Sequence, residues 1–342
     1  MRHYSLWMDK YSLRRKQITD KFDELRGKVS EIRMKIPEED LFCRLDYADE
    51  DKKHRMAFID GGEGIRELMG VGIYFIRASG LLLTTNNGSD EGELFERDLD
   101  LNMIDYDENL KDRVELLREG MEFDVALQCA KKHRPEYVFL DGSLYVKARR
   151  QPVKCGEYMV YRKKFVRLLK YCKDNDIHLI GVSEDSKSKL MLNYLSSRYG
   201  ITFPDYMTDS TILRILSGNK MARTIQFTPK SRFEADDRIT STLTATFPTA
   251  YIQPTEIANP MRIDAPDWEQ DFDYCIRLIA TLSKGSKGYG YPIPLYIAHL
   301  DARIKSSQTE WTATQIANYV SKKDPLLGDA IMRKTRRILR PI

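Results

Sequence analysis

"YVFLDGSLY" (137–145) climbs through Val138, Phe139 and Leu140 to Asp141, then turns polar at Gly142 and Ser143. A short apolar run closed by turn residues reads as a buried strand. A carboxylate at its end is costly to bury unless something compensates it. "MAFIDGGEG" (56–64) repeats the pattern, with Asp60 after Met56, Ala57, Phe58 and Ile59. Either Asp-Gly step alone is readable as a turn or a helix cap. Two of them, each closing an apolar strand, read as two halves of one site.

The surrounding pattern places both strands in one sheet. "GVGIYFIRASGLLLT" (70–84) is rich in β-branched and aromatic residues and fits one or two strands. "NNGSDEG" (86–92) is turn chemistry, and "ELFERDLDLNMID" (93–105) alternates as an amphipathic strand. Three adjacent strands thus open the core as an antiparallel meander. From Asp107 to Lys132, Val114, Leu117, Met121 and Val125 return at helical spacing. The Asp141 strand follows, then a basic helix (158–175), a strand (177–186) and a further helix (187–200). Alternating helices and strands require crossovers and hence parallel pairing. In 201–270, "RTIQFTPKSRFEADD" and "TATFPTAYIQP" read as strands, and "DWEQDFDYCIRLIATLSKGS" beyond them as a helix. The expected class is α/β: a mixed sheet flanked by helices, with an N-terminal helix and additional C-terminal elements.

In such a sheet the first and fourth strands can be neighbours, which sets Asp60 beside Asp141. Glu115, Glu119 and Glu122 share one face of the helix between them. Clustered carboxylates repel unless they are protonated or bind cations, and all-oxygen donors suit Mg²⁺ or Mn²⁺. Such an ion assists phosphodiester hydrolysis. Strand acid, helix acid and fourth-strand acid follow the order of the ribonuclease H-like fold, a likeness of layout.

"FIDGG", "VFLDGSL" and "GYPIPLYIAH" (290–299) together resemble the NurA family of archaeal and bacterial nucleases, in the family's order and across residues 56–304. The resemblance implies a ribonuclease H-like core that binds Mn²⁺ (Mg²⁺ in its stead) and degrades DNA ends. It implies single-strand endonuclease and 5′-to-3′ exonuclease activity in recombinational repair, a homodimer, and a hexameric HerA-type ATPase as partner. It makes Asp60 and Asp141 metal ligands. It selects Glu122, in "REGMEFDVA" (118–126), as the helix acid, and adds Tyr291 and His299. His299 is then a third metal ligand or a charged group on the phosphate. Its other reading is a packed core histidine. Tyr291 would hydrogen-bond a phosphate or stack on a base, or simply belong to an exposed loop.

Two positions depart from the family pattern. Gly62-Glu63 stands where a Ser-Arg pair is common, and Ser183-Glu184 where Ser-Lys is common. Lys187 or Lys189 would replace that lysine. Lys147, Arg149 and Arg150, just past the DGSLY turn, are the expected DNA track, together with Lys187. Arg162, Lys163, Lys164 and Arg167 form a second basic cluster, and "RKTRRILR" (333–340) a basic tail.

The totals leave these readings open and close others. A 342-residue chain with 42% hydrophobic and 31% charged residues fits a soluble globular protein. Net charge is only +4, so no global field calls for a nucleic-acid partner, and a local basic groove is left open. The five cysteines form no Cys-x-x-Cys pair, and the odd count argues against a disulfide framework. No run approaches a membrane span. A cytoplasmic protein is expected. The division expected is an N-terminal helical segment (1–37) and a nuclease domain (38–342). In that helix Tyr11, Ile18, Leu25 and Ile32 recur every seven residues with Phe22 and Val29 between. It packs on its own domain or against a partner. The chief alternative to an enzyme is a non-catalytic adaptor subunit of a DNA motor. An actin-like ATPase or sugar kinase is disfavoured for want of a second Gly-rich phosphate loop.

Overall fold

The computed structural model describes residues 2–49, 52–68, 70–86, 89–147, 155–184, 187–218, 220–229, 233–234, 244–286 and 288–327. Its helices are α1 (Arg2–Lys35), α2 (Leu110–His133), α3 (Leu144–Lys147), α4 (Gly156–Asp174), α5 (Leu190–Tyr199), α6 (Asp209–Ser217), α7 (Phe272–Ser283), α8 (Ile293–Ala302) and α9 (Ser306–Lys323). Its strands are β1 (Phe42–Cys43), β2 (His54–Glu67), β3 (Val71–Asn86), β4 (Ser89–Asp105), β5 (Tyr137–Asp141), β6 (His178–Ser183), β7 (Ala222–Thr224), β8 (Phe233–Glu234), β9 (Thr244–Ala245), β10 (Thr249–Gln253) and β11 (Met261–Asp264).

Among the described residues, nine strands form one sheet in the order β1-β7-β10-β11-β6-β5-β2-β3-β4. β2, β3 and β4 are the antiparallel meander. β5 then pairs parallel to β2, and β6 parallel to β5. This is a mixed, ribonuclease H-like sheet, extended past β6 by antiparallel β11, β10, β7 and β1. Opposite faces of the strands bury alternate residues. Ala57, Ile59, Val138 and Leu140 pack under α2 and α4, with Phe123 and Phe165. Met56, Phe58, Phe139 and Ile180 pack under α7 and α8, with Ile276 and Leu295. Phe58 and Phe139 stack at 5.0 Å across the parallel pair. Burying each such side chain is worth roughly 1.5–3 kcal/mol, and that fixes the register on which the site depends.

Several expectations change: the run ending at Pro254 is split into β9 and β10 around 246–248, and Ser89–Gly92 of the expected turn belong to β4. The 70–84 run is part of a single long strand, β3. Residues 223–237 do not form one strand: β7 ends at Thr224, Phe227 makes an isolated bridge to Thr249, and β8 is a two-residue piece paired with β9. Asp60 also does not end its strand, because β2 continues to Glu67 in unbroken register with β3. The glycines after Asp60 serve close approach rather than a turn. A Cβ on Gly61 would collide with the Glu122 carboxylate, and one on Gly62 with the Ala302 carbonyl. Gly142, by contrast, does turn the chain, with φ at 100°, where only glycine sits without strain.

α1 packs on the domain through its C-terminal half, with Val29 and Ile32 in the core, Leu25 beside them and Ile36 just past its end, and the Tyr206 hydroxyl reaches Glu24. Tyr4, Leu6, Trp7, Tyr11, Leu13, Ile18 and Phe22 are exposed. Among the described residues no helix is long and apolar enough to cross a membrane.

Candidate active site

Ile59 pairs with Leu140 in the parallel ladder, so the next residues, Asp60 and Asp141, emerge side by side. Helix α8 crosses above them. Pro292 and Pro294 start it, as proline favours a helix's first turn. Its His299 Nδ1 donates to Asp60 Oδ2 at 2.8 Å. Asp60, Asp141 and His299 each place a donor atom within 4.8 Å of the others. His299 is therefore not a packed core histidine, and about half of its side chain is exposed. Its bond to Asp60, helped by nearby Asp141, raises its pKa.

Tyr291 closes the other side. Its hydroxyl donates to Asp141 Oδ1 at 2.8 Å, and the residue is buried. Burial, then the adjoining Asp141 charge, push the phenol well above its ordinary range, so it remains a donor. A buried ring cannot offer a face to a base, which removes the stacking role for Tyr291. Asp60 itself is 3% exposed, and its other oxygen accepts from the Gly61 N–H at 2.7 Å.

The three acids of α2 separate in space. Glu115 is partly exposed near Lys111. Glu119 is nearly buried, 3.6 Å from Arg118. Glu122 is fully buried against Gly61 and accepts a short hydrogen bond from Arg118. Arg118 also reaches Glu63 at 3.3 Å. Burial works against the Arg118 charge, but Glu122, Glu119, Glu63 and Asp60 outweigh it and raise its pKa. Glu63 is pushed up by its own burial, against the pull of Arg118. One guanidinium thus holds the acids of this flank, a residue that helical periodicity did not single out.

Behind the DGS turn lies a second buried network. Ser143 donates to Asp264 and accepts from Arg262, both on β11, and Thr249 donates to Asp264 at 2.8 Å. Arg262 is 1% exposed and Asp264 fully buried. "DGSL" signals Ser143, but "MRID" gives no hint that its charged pair is internal. Asp301 is a clamp: it accepts from Arg97 and Ser79, tying α8 to β3 and β4. Of the expected DNA track, Lys187 is exposed in the connection after β6. Arg149, Arg150 and the Lys147 side chain lie outside the described residues, as does the tail at 333–340. Lys189 makes a 3.4 Å contact with Asp205, and Lys164 pairs with Asp124 at 2.6 Å. Glu184 is exposed and accepts from the Tyr289 hydroxyl at 2.6 Å.

Residues 54–304 match the NurA domain as a family. The chain belongs to the NurA family. No curated protein sequence matches it at a significant level. The fold resembles the crystal structure of the NurA nuclease from Sulfolobus solfataricus, with a TM-score of 0.68 at 17% identity, over 92% of this chain and 97% of that one. It also resembles NurA bound to dAMP and manganese, with a TM-score of 0.60 at 13% identity, over 92% and 99% of the two chains. At such identities the likeness shows a shared NurA fold.

The donor set of this NurA-family chain fits a divalent cation on its own chemistry. Two carboxylates meet one imidazole, leaving negative charge in excess at a point that runs from buried Asp60 to exposed His299. Oxygen donors with one neutral imidazole suit Mn²⁺ well and Mg²⁺ less closely.

Proposed function

We propose that this NurA-family chain is a manganese-dependent deoxyribonuclease. Its reaction is hydrolysis of DNA phosphodiester bonds, as a single-strand endonuclease and 5′-to-3′ exonuclease in the resection of DNA ends. The observation that carries this reading is the convergence of Asp60, Asp141 and His299 on one point beside the adjacent interior strands β2 and β5 of a NurA-family chain.

Asp60, Asp141 and His299 would hold the cation, with Mg²⁺ as a substitute. When bound, it would stabilise the negative charge that builds on the phosphodiester in hydrolysis. The protein's own part is orientation. Tyr291 fixes the Asp141 carboxylate by hydrogen bonding. Gly61 and His299 fix the two oxygens of Asp60. Glu122 completes the acid set from α2, and Arg118 aims it while balancing its charge. Lys147, Arg149, Arg150 and Lys187 would follow the DNA backbone away from the site.

The assembly we propose is a homodimer that serves a hexameric HerA-type ATPase in the cytoplasm. Residues 1–37 act as a helical segment distinct from the nuclease domain at 38–342. Its exposed Trp7, Tyr11, Ile18 and Phe22 supply apolar area for a second copy to cover.

The test is hydrolysis of single- and double-stranded oligonucleotides by the purified chain. Manganese should support cleavage and EDTA should stop it. Asp60→Asn and Asp141→Asn should each lower the rate by roughly 10²–10³-fold, the size expected for groups that stabilise transition-state charge, with an unchanged melting temperature. Undiminished cleavage in EDTA, or in either variant, would overturn the reading.

A further inference from the structure

Four rings link the two aspartates of the site. Tyr291, bonded to Asp141, lies 5.7 Å from the Tyr289 ring. Tyr289 meets Tyr296 edge-on at 5.8 Å. Tyr296 stacks on His299, which is bonded to Asp60, at 6.4 Å and 19°. The outer members of this chain are open. Tyr289 is 46% and Tyr296 42% exposed, with Ile293 and Ile257 exposed beside them. A hollow of about 150 Å³, lined by Glu184, Ile257, Asn259, Met261, Tyr289 and Tyr291, adjoins the rings.

We propose that Tyr289 and Tyr296 form a platform on which an unpaired base of the substrate stacks, at the rim of the metal site. The proposal rests on the nuclease reading and adds the residues that select unpaired DNA. Exposed rings beside a phosphate-cleaving site have a natural occupant, because every base has a π-face and stacking needs no sequence choice. A base inside a duplex is already stacked on its neighbours, so this surface favours frayed ends and single strands. Position is set by two anchors. The Tyr289 hydroxyl donates to Glu184 at the end of β6, and Tyr296 rides on α8 one turn before His299. A base on these rings holds its own phosphodiester close to Asp60 and Asp141.

The test compares Tyr289→Leu and Tyr296→Leu, which keep apolar area without a ring, with the Tyr→Phe variants, which keep the ring without the hydroxyl. The probes are a single-stranded oligonucleotide carrying 2-aminopurine and the same strand carrying abasic sites. Stacking quenches 2-aminopurine, and this is read in an Asp60→Asn background where no cleavage intervenes. The Leu variants should lose the quenching and raise KM on the normal strand roughly tenfold each, the size of one lost base–aromatic stack. Their kcat should change little, and their KM on the abasic strand should match the parent's. Tyr296→Phe should behave as the parent, and Tyr289→Phe, which keeps the ring but loses the bond to Glu184, should keep the quenching with a smaller rise in KM than Tyr289→Leu. Equal KM for normal and abasic strands in the parent, or full quenching in the Leu variants, would overturn the platform. Quenching without hydrolysis by the active chain would instead refute the nuclease reading and leave the platform standing.

Discussion

Histidine–carboxylate groups sit at both ends of the parallel strands, yet the two ends are built to opposite purposes. At the amino end, His54 on β2 spends both ring nitrogens, on Glu136 at 3.0 Å and on the Tyr274 hydroxyl at 2.7 Å. Beside it, His178 Nδ1 on β6 donates to both Glu269 oxygens at 2.9 Å. The Cys275 sulfur lies within 4.8 Å of that pair, as close a cluster as Asp60, Asp141 and His299. Spacing therefore does not separate the two ends, but charge does. At the amino end each histidine meets one carboxylate, and burial pushes the Cys275 thiol up, so it stays protonated. At the other end two carboxylates share one histidine, and a single Arg118 serves Glu63, Glu119 and Glu122. A surplus of buried acid asks for a cation, whereas a balanced pair is already satisfied.

The largest effect outside the metal ligands is expected at Glu122. Removing one partner of a buried ion pair costs about 3–5 kcal/mol, because the other charge stays uncompensated. Glu122→Ala should lower the urea midpoint accordingly and reduce cleavage as well. An Arg118→Met change added to it should recover part of the stability but none of the cleavage. Full recovery of cleavage in the double variant would show that Glu122 serves only to balance Arg118.

The same contrast explains what the residues revealed on their own. Asp141 was legible because Val138 to Leu140 are uniformly apolar and Gly142 does make a turn, with its φ at 100°. Asp60 was legible as an acid but misplaced as a strand end. Two glycines mimic a turn, when here they admit Glu122 and the end of α8. Helical spacing alone put three glutamates on one face. The choice among them depends on Gly61, which arrives from a distant strand, and on Arg118, one turn away on the same helix, whose reach to Glu63 only the fold reveals. β11 stayed hidden because Arg262 and Asp264 read as surface, although they lie inside against Ser143. Met261 and Ile263 do alternate with Arg262 and Asp264, but over four residues the pattern is too short to show that both faces are buried.

At the amino end the expected effects fall on stability and not on cleavage. His178→Gln should cost roughly 1.5–3 kcal/mol, the range for a hydrogen bond between charged groups. The bond to Glu269 raises the His178 pKa, with Asp271 and Glu136 adding to it. A raised folded-state value means the native protein holds a proton that the unfolded chain releases. The contribution is complete below the ordinary histidine value of about 6.5 and is lost as pH rises through the raised one. Urea titrations across that window should show parental stability falling with pH more steeply than that of His178→Gln. Parallel curves, or a loss of Mn²⁺-dependent cleavage in the variant, would break the distinction between the two ends.

The smallest effect is expected at Cys275, and it sharpens the comparison most directly. If His178, Glu269 and Cys275 formed a metal centre, the thiol would have to lose its proton. Burial opposes that, and Glu269 and Asp271 add like charge nearby. Co²⁺ added to the parent protein should therefore produce no thiolate-to-cobalt absorption band. Cys275→Ser should melt within a few degrees of the parent, since it changes stability by about 1 kcal/mol. A cobalt–thiolate band that disappears in Cys275→Ser would mean that charge balance does not distinguish the two ends. The amino-end group would then be a second metal centre, despite its paired histidine and carboxylate.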